Sequence, residues 1–243
     1  MIITSLNNDK IKELIKLKER KYRKKSKEFL IEGRHLVLEA CKKGIVKEII
    51  LTENASFTTD IPTTYVSSDV MNKLSDMESP SDIMALCSMQ DNDLIGEKIV
   101  LLDDIQDPGN LGTIIRSALA FNVDTIVLSP NTVDLYNSKV IRATQGIMFH
   151  INIVTRDLKE VIGELKEKKV PVYGTKVDGG MDVKNLSYRD HDKYALVMGN
   201  EGNGVSEEIL NICDEFLYIK MNPKVESLNV GVATGIILYE LNK

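Results

Sequence analysis

Apolar and polar positions follow two different patterns, one on each side of residue 92. Before that point, groups at helical spacing alternate with short strand-like runs, which predicts a small α/β unit. The predicted helices are 6–17, 35–43 and 70–74, and the predicted strands are 29–31, 46–51 and 84–87. A polar stretch at 89–93, followed by Gly96, predicts a boundary between two domains, 1–92 and 97–243.

After Lys98 the apolar runs become continuous over four residues or so, a pattern typical of strands buried on both faces. Stretches of helical pattern separate these runs, and the two clearest are 113–121 and 227–241. Buried strands that alternate with helices predict a parallel sheet covered by helices. The predicted strands are 99–102, 125–128, 170–173, 195–198 and 216–219.

The overall composition indicates a globular protein, with 43% hydrophobic and 28% charged residues. The sequence has no apolar run long enough to cross a bilayer, and its first ten residues lack the pattern of a signal peptide, so we expect neither. The three cysteines, Cys41, Cys87 and Cys213, are too few and too far apart for a disulfide framework or a metal site. This usage favours a reducing cytoplasm.

The net charge of −5 hides a strongly basic segment near the start of the chain. Residues 10–27 contain ten Lys or Arg against Glu13 and Glu19, which gives a local charge of +8. Such a segment can follow the phosphates of a nucleic acid even on an acidic protein. It can also be an ordinary solvated helix face, and the charge pattern leaves both interpretations open.

Three polar loops follow predicted strands, at 102–112, 198–205 and 219–230. Ligands of open parallel sheets bind at the carboxyl ends of strands, so these loops are the candidate site. Each also has a structural interpretation: Asn110 or Ser227 could cap a helix, and the glycine-rich loop could simply need positive φ. A nucleotide-dependent dehydrogenase is disfavoured, because the glycine loop lacks the G-x-G-x-x-G spacing and comes late in the chain.

Taken together, the three loops resemble the SpoU (TrmH-type) family of SPOUT RNA methyltransferases. The matching motifs are D-x-x-D-P-G-N-x-G-x-x-x-R at 104–116, L-V-M-G-N-E-G-x-G at 196–204, and E-S-L-N-V with V-A-x-G-I at 226–236. They occur in the family's order. The F-L-I-E-G-R stretch at 29–34 resembles the start of the L30-like substrate-binding domain that precedes the catalytic domain in rRNA-modifying members.

The resemblance implies a C-terminal SPOUT domain with a deep trefoil knot at about 195–243, preceded by a small α/β L30-like domain. It implies transfer of a methyl group from S-adenosylmethionine to a ribose 2′-hydroxyl, with ribosomal RNA as the expected substrate. A tRNA 2′-O-methyltransferase and a non-catalytic RNA-binding or ribosome assembly factor remain the alternatives. It also implies a homodimer that contains no metal and no membrane segment, with the final helix at the interface.

The resemblance assigns roles residue by residue. Arg116 is expected to hold a substrate phosphate and to stabilise a developing alkoxide, and a role as the base after substrate binding remains the alternative. It could serve its own site or that of the partner subunit. The other expected catalytic-site residues are Asn110, Glu201, Ser227 and Asn229. The expected cofactor-binding residues are Gly199, Ile219, Leu228, Thr175, Gly204 and Met221. The expected RNA-binding residues are Arg23, Lys24, Lys25, Arg34 and Arg142.

Several positions depart from the motifs or permit a simpler role. Lys220 and Pro223 stand where many family members have proline and glycine, which leaves the cofactor's backbone contacts open. Arg142 could be a solvated helical arginine, and His150 is expected to be a packed structural histidine. His35 and His191 belong to no metal-ligand or triad pattern.

Overall fold

The structure is a computed structural model that describes residues 2–90, 93–186 and 192–242. His191 therefore lies outside the described residues. The chain forms two compact units: unit 1 comprises 1–91 and 134–149, and unit 2 comprises 92–133 and 150–243. Across the described ranges, no helix combines the length and the apolar composition needed to cross a membrane.

The elements follow one another as an α/β alternation in both parts of the chain. The first part contains β1 (Ile2–Ile3), α1 (Asp9–Lys16), α2 (Arg20–Ser26), β2 (Glu28–Glu32), α3 (Arg34–Lys43), β3 (Val46–Thr52), β4 (Thr63–Val66), α4 (Ser68–Leu74) and β5 (Ile83–Ser88). The second part contains β6 (Lys98–Leu102), α5 (Pro108–Ala120), β7 (Thr125–Leu128), α6 (Ser138–Thr144), β8 (Asn152–Thr155), α7 (Leu158–Glu167), β9 (Val172–Thr175), β10 (Met181–Asp182), β11 (Tyr194–Met198), α8 (Glu207–Leu210), β12 (Glu215–Tyr218) and α9 (Val230–Leu241).

Unit 1 is built on a mixed sheet with the strand order β1-β4-β3-β5-β2. Strand β5 runs antiparallel to β2 and β3, whereas β4 is parallel to both of its neighbours. Helix α1 buries Ile11 and Leu14 against this sheet and leaves its lysines at the surface, as its apolar stripe predicts. The side chain of Asn8 caps the helix by accepting a hydrogen bond from the backbone N–H of Lys10 at 3.0 Å.

Residues 134–149 belong to unit 1 although the flanking segments belong to unit 2. Helix α6 buries Val140 and Ile141, and the ring of Phe29 lies 4.6 Å from that of Tyr136 and 6.4 Å from that of Phe149. This burial is why the segment packs with unit 1. The division into domains 1–92 and 97–243 stays a prediction, and the compact units differ from it in the assignment of 134–149.

Unit 2 is built on a seven-stranded sheet with the order β10-β12-β9-β11-β6-β7-β8. All its strand pairings are parallel, which confirms the predicted α/β class. The central strand β11 is buried along its whole length, and β6 is buried from Ile99 to Leu102, as expected for strands covered by helices on both faces. The trefoil knot itself stays a prediction.

The starts of two helices differ from the predicted ones. Helix α5 begins at Pro108, because the side chain of Asp107 accepts a hydrogen bond from the backbone N–H of Asn110 at 2.8 Å and caps the helix. Helix α9 begins at Val230, and the residue that caps it is Asn229. The alternative interpretation of Asn110 or Ser227 as a helix cap is therefore wrong, because Asp107 and Asn229 are the capping residues.

Candidate active site

A cavity of about 350 Å³ lies in unit 2 where β9, β11 and β12 end and where α5 and α9 begin. This is the carboxyl edge of the parallel sheet, the place where such sheets bind ligands. The cavity wall contains all six residues expected to bind the cofactor, and four of the five expected catalytic-site residues. These ten residues are Thr175, Gly199, Gly204, Ile219, Met221 and Leu228, with Asn110, Glu201, Ser227 and Asn229.

The loop after β11 folds back so tightly that it needs glycine at its first position. A Cβ atom on Gly199 would lie 2.0 Å from the carbonyl carbon of Gly204 and from the backbone nitrogen of Val205. The backbones of Asn200 and Gly204 exchange two hydrogen bonds of 2.9 Å, and Gly204 adopts a φ of +69°. The glycines therefore shape a compact loop whose backbone groups line the cavity.

Asn200, which the sequence did not single out, holds this loop in place. Its side-chain oxygen accepts hydrogen bonds from the backbone N–H groups of Gly202 and Asn203, at 2.9 and 3.2 Å. Its side-chain nitrogen donates to the carbonyl of Asp104 at 2.8 Å, which joins the loops after β11 and β6. Its position inside the motif at 196–204 is the signal that could have identified it.

Glu201 connects the same loop to the start of α5. Its carboxylate accepts hydrogen bonds from the side-chain nitrogen of Asn110 at 3.0 Å and from the backbone N–H groups of Gln106 and Asp107 at 3.1 and 3.0 Å. Partial burial by itself raises the pKa of this carboxyl, but the hydrogen bonds from Asn110, Asp107 and Gln106 outweigh it and leave the pKa below its ordinary value. Glu201 is therefore an ionised acceptor at neutral pH.

Asn229 extends this network to the third motif. Its side-chain nitrogen donates to the side-chain oxygen of Asn110 at 2.7 Å, and its own oxygen accepts from the backbone N–H groups of Gly231 and Val232. The order Glu201–Asn110–Asn229 fixes which end of each amide donates and which accepts. Residues 91 and 119 positions apart from Asn110 along the chain thus meet at one wall of the cavity.

Arg116 lies on α5, beyond the residues that line the cavity. Its side chain is exposed, and within the described parts of the chain no hydrogen bond or ion pair engages it. Six residues, less than two turns of helix, separate it from Asn110. The structure therefore brings four of the expected catalytic-site residues together and leaves this cation free at the surface of α5.

Comparison with known proteins decides the family. A model described as the SpoU rRNA Methylase family matches residues 97–239. This chain belongs to that family. A second model, described as an MRM3-like substrate binding domain, matches residues 8–85. The three motifs that carry the resemblance in the sequence, at 104–116, 196–204 and 226–236, all lie inside the matched residues 97–239.

Individual SpoU relatives match along nearly the full length. The chain is 41% identical to the 23S rRNA (guanosine(2553)-2′-O)-methyltransferase RlmP of Bacillus subtilis, over 98% of each chain. The AdoMet-bound rRNA methyltransferase of Sinorhizobium meliloti superposes with a TM-score of 0.88 at 28% identity, covering 99% of this chain and 97% of that one. The SpoU methyltransferase AviRb of Streptomyces viridochromogenes, in complex with AdoMet, superposes with a TM-score of 0.87 at 25% identity, covering 97% of both chains.

The remaining polar residues of this SpoU site differ in exposure. Ser227 lines the cavity but is exposed, as are Lys220 and Pro223 in the loop after β12. The hydroxyl of Thr175 donates to the carbonyl of Val197 at 2.8 Å, which ties β9 to β11 beside the cavity. Lys176, which the sequence did not single out, also lines the cavity, and its Nζ lies 3.7 Å from the ring centre of Phe216.

The residues expected to bind RNA divide into exposed and buried ones. Lys24, Lys25 and Arg34 are exposed, and Arg142 is partly exposed on α6. Arg23 is only 6% exposed. Its Nη1 donates to the carbonyls of Leu17 and Lys18, both at 2.7 Å, and its Nη2 pairs with Asp134. These internal bonds occupy the two terminal nitrogens of Arg23, and its role in RNA binding stays a prediction.

The two described histidines are both exposed. The ring of His35 lies 3.1 Å, at Nε2, from the carbonyl oxygen of Gln145. The expectation that His150 is packed inside the protein is wrong, because its side chain is at the surface. Among the residues that the structure describes, no group of three His, Cys, Asp or Glu side chains could hold a metal ion.

Proposed function

We propose that this protein transfers a methyl group from S-adenosylmethionine to a ribose 2′-hydroxyl of ribosomal RNA. The observation that carries the proposal is the convergence of three distant loops on one cavity in a chain of the SpoU family. The sequence relative named above acts on 23S rRNA, and the solved relatives bind AdoMet. The proposal applies those activities to this chain.

The cavity fits the cofactor because much of its wall is backbone. The loops at Gly199–Gly204 and at Ile219 and Leu228 offer N–H and C=O groups for an adenosine, and Val230 and Ile237 add apolar surface. Gly199 can carry no side chain there because the backbone of Gly204 and Val205 crosses over it, and this tight crossing fixes the position of the loop that lines the cavity. When bound, the cofactor supplies an activated methyl group, and the protein must orient it against the ribose.

Arg116 is the residue that we expect to act on the RNA. A guanidinium keeps its positive charge throughout the pH range of folded proteins, and it binds phosphate with two parallel hydrogen bonds. From the exposed surface of α5 it can hold a substrate phosphate and stabilise charge that develops on the 2′-oxygen. The Glu201–Asn110–Asn229 network then serves to hold α5, which carries Arg116, in register with the cofactor loops.

Ribosomal RNA is a better candidate than tRNA for two reasons. The full-length relative at 41% identity is named as a 23S rRNA enzyme, and residues 8–85 match a substrate-binding domain model. A non-catalytic assembly factor is a weaker candidate, because all five expected catalytic-site residues are present and four of them form one cavity wall. The three cysteines are free thiols, which agrees with work in a reducing cytoplasm.

The outward face of α9 supports a homodimer. Val232, Ile236 and Tyr239 lie on this face at a spacing of four and three residues, and they are 50%, 36% and 55% exposed. Three large apolar side chains in one stripe are typical of a surface that a second subunit covers. We therefore include a dimer formed through α9 in the proposed function.

Methyl transfer tests the proposal directly. We expect the purified protein to transfer label from S-adenosylmethionine to rRNA, either naked or in ribosomal particles, and Arg116→Ala to slow transfer by about 100-fold or more while cofactor binding stays unchanged. Arg156→Ala removes a partly exposed arginine of unit 2 that pairs with Glu164 outside the cavity lining. It is the control and should change the rate less than about twofold, because surface substitutions away from a site usually have small effects.

The other outcomes distinguish the alternatives. Transfer to tRNA but not to rRNA would favour the tRNA enzyme. A different result would contradict the catalytic proposal and favour an assembly factor. In that case the protein binds the cofactor but transfers no methyl group to any RNA, and Arg116→Ala binds RNA as tightly as the unchanged protein does. Mapping of 2′-O-methylated positions in rRNA with and without the protein then identifies the nucleotide.

A further inference from the structure

Unit 1 contains a second cavity, of about 380 Å³, that is separate from the candidate active site of unit 2. Residues of α1 and the turn after it, β2, α4 and α6 surround it, and we call it the unit 1 cavity. Its size lies within the range of about 300–1,000 Å³ that is usual for pockets holding small organic ligands. Neither the methyl-transfer site nor the dimer surface makes use of it.

A buried arginine in the cavity wall retains one unused donor. The Arg23 side chain is 7% exposed, and its terminal nitrogens are occupied by two backbone carbonyls and by Asp134. Its Nε is buried and has no hydrogen-bond partner within the described part of the chain. Because buried donors in folded proteins nearly always have a partner, this N–H indicates that the cavity receives an acceptor atom.

The mouth of the cavity is positively charged. Lys139 and Arg142 of α6 both line it, and no ion pair is found for either of them among the described residues. Lys18 also lines it and pairs with Asp76 at 3.0 Å. Together with Arg23, these residues place four cations against the three carboxylates of Glu32, Asp76 and Asp134, the last of which pairs with Arg23, so the cavity favours an anionic ligand.

The interior combines apolar surface with a fixed acceptor. Leu30, Leu74, Met84 and the ring of Tyr136 form the apolar part of the wall. Glu32, only 8% exposed, keeps its carboxylate in place through hydrogen bonds from the hydroxyl of Ser75 and the backbone N–H of Ser81. An apolar wall beside a donor and an acceptor suits a planar base with polar edges, and the cationic mouth suits its phosphate.

We propose that the unit 1 cavity receives one unstacked nucleotide of the RNA substrate, with its base against the apolar wall and its phosphate on Lys139 and Arg142. The inference rests on the proposed function, which makes RNA the substrate. RNA is favoured over a free nucleotide because Lys18 and Arg23 belong to the basic segment 10–27, whose exposed Lys24 and Lys25 can continue a phosphate path away from the cavity. Proteins read RNA sequence largely through bases that leave the stack.

Ser138, the first residue of α6, offers a matched pair of variants because it lines the cavity and is only partly buried. Ser138→Phe fills the space, whereas Ser138→Ala leaves it open. With rRNA that contains 4-thiouridine or 6-thioguanosine, we expect irradiation to join RNA to peptides spanning 30–32 or 136–142. Ser138→Phe should lower this crosslinking and raise the KM for RNA about tenfold, the effect of losing one stacked base, with kcat and cofactor affinity unchanged.

A second comparison tests the cationic mouth. Lys139→Ala combined with Arg142→Ala should raise the KM for RNA and reduce its dependence on salt concentration, because two phosphate contacts are lost. Lys43→Ala combined with Lys73→Ala removes the same charge from exposed positions of α3 and α4 and should leave the KM within about twofold. Thermal unfolding of each variant shows whether it is folded.

The outcomes separate this inference from the proposed function. Suppose that methyl transfer occurs, that crosslinks form only to other peptides, and that Ser138→Phe and Ser138→Ala have the same KM for RNA. This result overturns the cavity proposal and leaves the proposed methyltransferase function intact. If free nucleoside 5′-monophosphates slow hydrogen exchange in the 136–142 peptide, and no crosslinks to RNA form there, RNA is not the source of the nucleotide. If crosslinks form in the cavity but no methyl transfer occurs, the result supports the binding site and contradicts the proposed function.

Discussion

At the scale of single residues, the site depends on one carboxylate that accepts three hydrogen bonds. Glu201 receives donors from Gln106, Asp107 and Asn110, and so holds the start of α5 against the loop after β11. An amide in its place would turn a donor toward these N–H groups. The charge of Glu201 therefore has a structural purpose apart from any contact with RNA.

The replacement Glu201→Gln should destabilise the protein by about 1 kcal/mol at pH 7, the value of charge-assisted hydrogen bonds reduced for partial exposure. Because the pKa of Glu201 is lowered on folding, the stabilisation is complete above the unfolded value of about 4.3 and is lost as the pH falls through the folded value. Urea unfolding should show the full difference in unfolding free energy at pH 7 and a smaller difference at pH 3.

Glu53→Gln, at an exposed turn of unit 1, is the control for this experiment and should differ little from the unchanged protein at either pH. A difference for Glu201→Gln that stays constant down to pH 3 would contradict the role given to its charge.

Residue types alone predict a role poorly when burial decides it. Arg23 and Lys24 are adjacent cations in the same basic segment, yet Arg23 is buried against Asp134 and Lys24 is exposed. Asp134 lies 111 positions away, so the pairing depends on tertiary structure that local charge cannot show. Similarly, Ser227 and Asn229 are both residue types that commonly cap helices. Asn229 is the cap here because α9 begins at Val230, the residue that follows it.

At the scale of the element, the loop after β11 is the least tolerant part of the site. The chain from Gly204 to Val205 crosses directly over Gly199, at a distance that leaves no room for a methyl group. Because the obstacle is backbone rather than the end of a flexible side chain, the loop must deform to admit any other residue.

We expect Gly199→Ala to abolish measurable cofactor binding in calorimetry and to lower the free energy of unfolding by about 3 kcal/mol, at the upper end of overpacking effects. Gly163→Ala is the matched control, since its Cβ would meet open space on an exposed face of α7. That change should stabilise the protein by about 0.5–1 kcal/mol, the usual gain at a helix interior. Normal cofactor binding by Gly199→Ala would refute the close crossing.

Elements with continuous apolar runs were predictable, and short strands without such a run were not. Strands β6, β7 and β11 match the predicted positions within one residue, because burial on both faces requires uninterrupted apolar sequence. Strand β4 reads Thr-Thr-Tyr-Val, and β8 begins with Asn152, so neither forms an apolar run that distinguishes a strand from a loop. Both nevertheless pair with established strands.

At the scale of the whole molecule, the proposed dimer concerns the exposed stripe on α9. The opposite side of this helix buries Thr234, Ile237 and Leu238 within unit 2, so the stripe is not needed for folding of the unit itself. Its apolar character therefore has an explanation only if something covers it.

Ile236→Glu should convert a dimer into a monomer in light scattering at low protein concentration, because a second subunit would have to bury the new charge. Leu38→Glu, which places the same charge at a 43% exposed leucine of α3, is the control and should leave the mass unchanged. If the unchanged protein is already monomeric and fully active, the stripe has another purpose and Arg116 works within its own subunit.

The sequence allowed the class of unit 2, its strand ends and most of the cavity residues to be predicted, since motifs and apolar runs are local properties. It did not allow the placement of 134–149, whose helix α6 contributes to the unit 1 cavity. That segment lies between elements of unit 2 along the chain. It packs with unit 1 because Val140 and Ile141 are buried there and because Phe29 contacts Tyr136 and Phe149.

The path of the chain therefore passes from one unit to the other three times, at about residues 92, 134 and 150. An ordinary two-module protein is joined by a single linker, and its modules can be exchanged as cassettes by recombination at that point. Here an exchange at residue 92 alone would separate the first ninety or so residues from helix α6, which belongs to the same compact unit. If unit 1 binds the RNA as proposed, a cassette exchanged between relatives must carry both of its segments, and a change of RNA target involves substitutions in both.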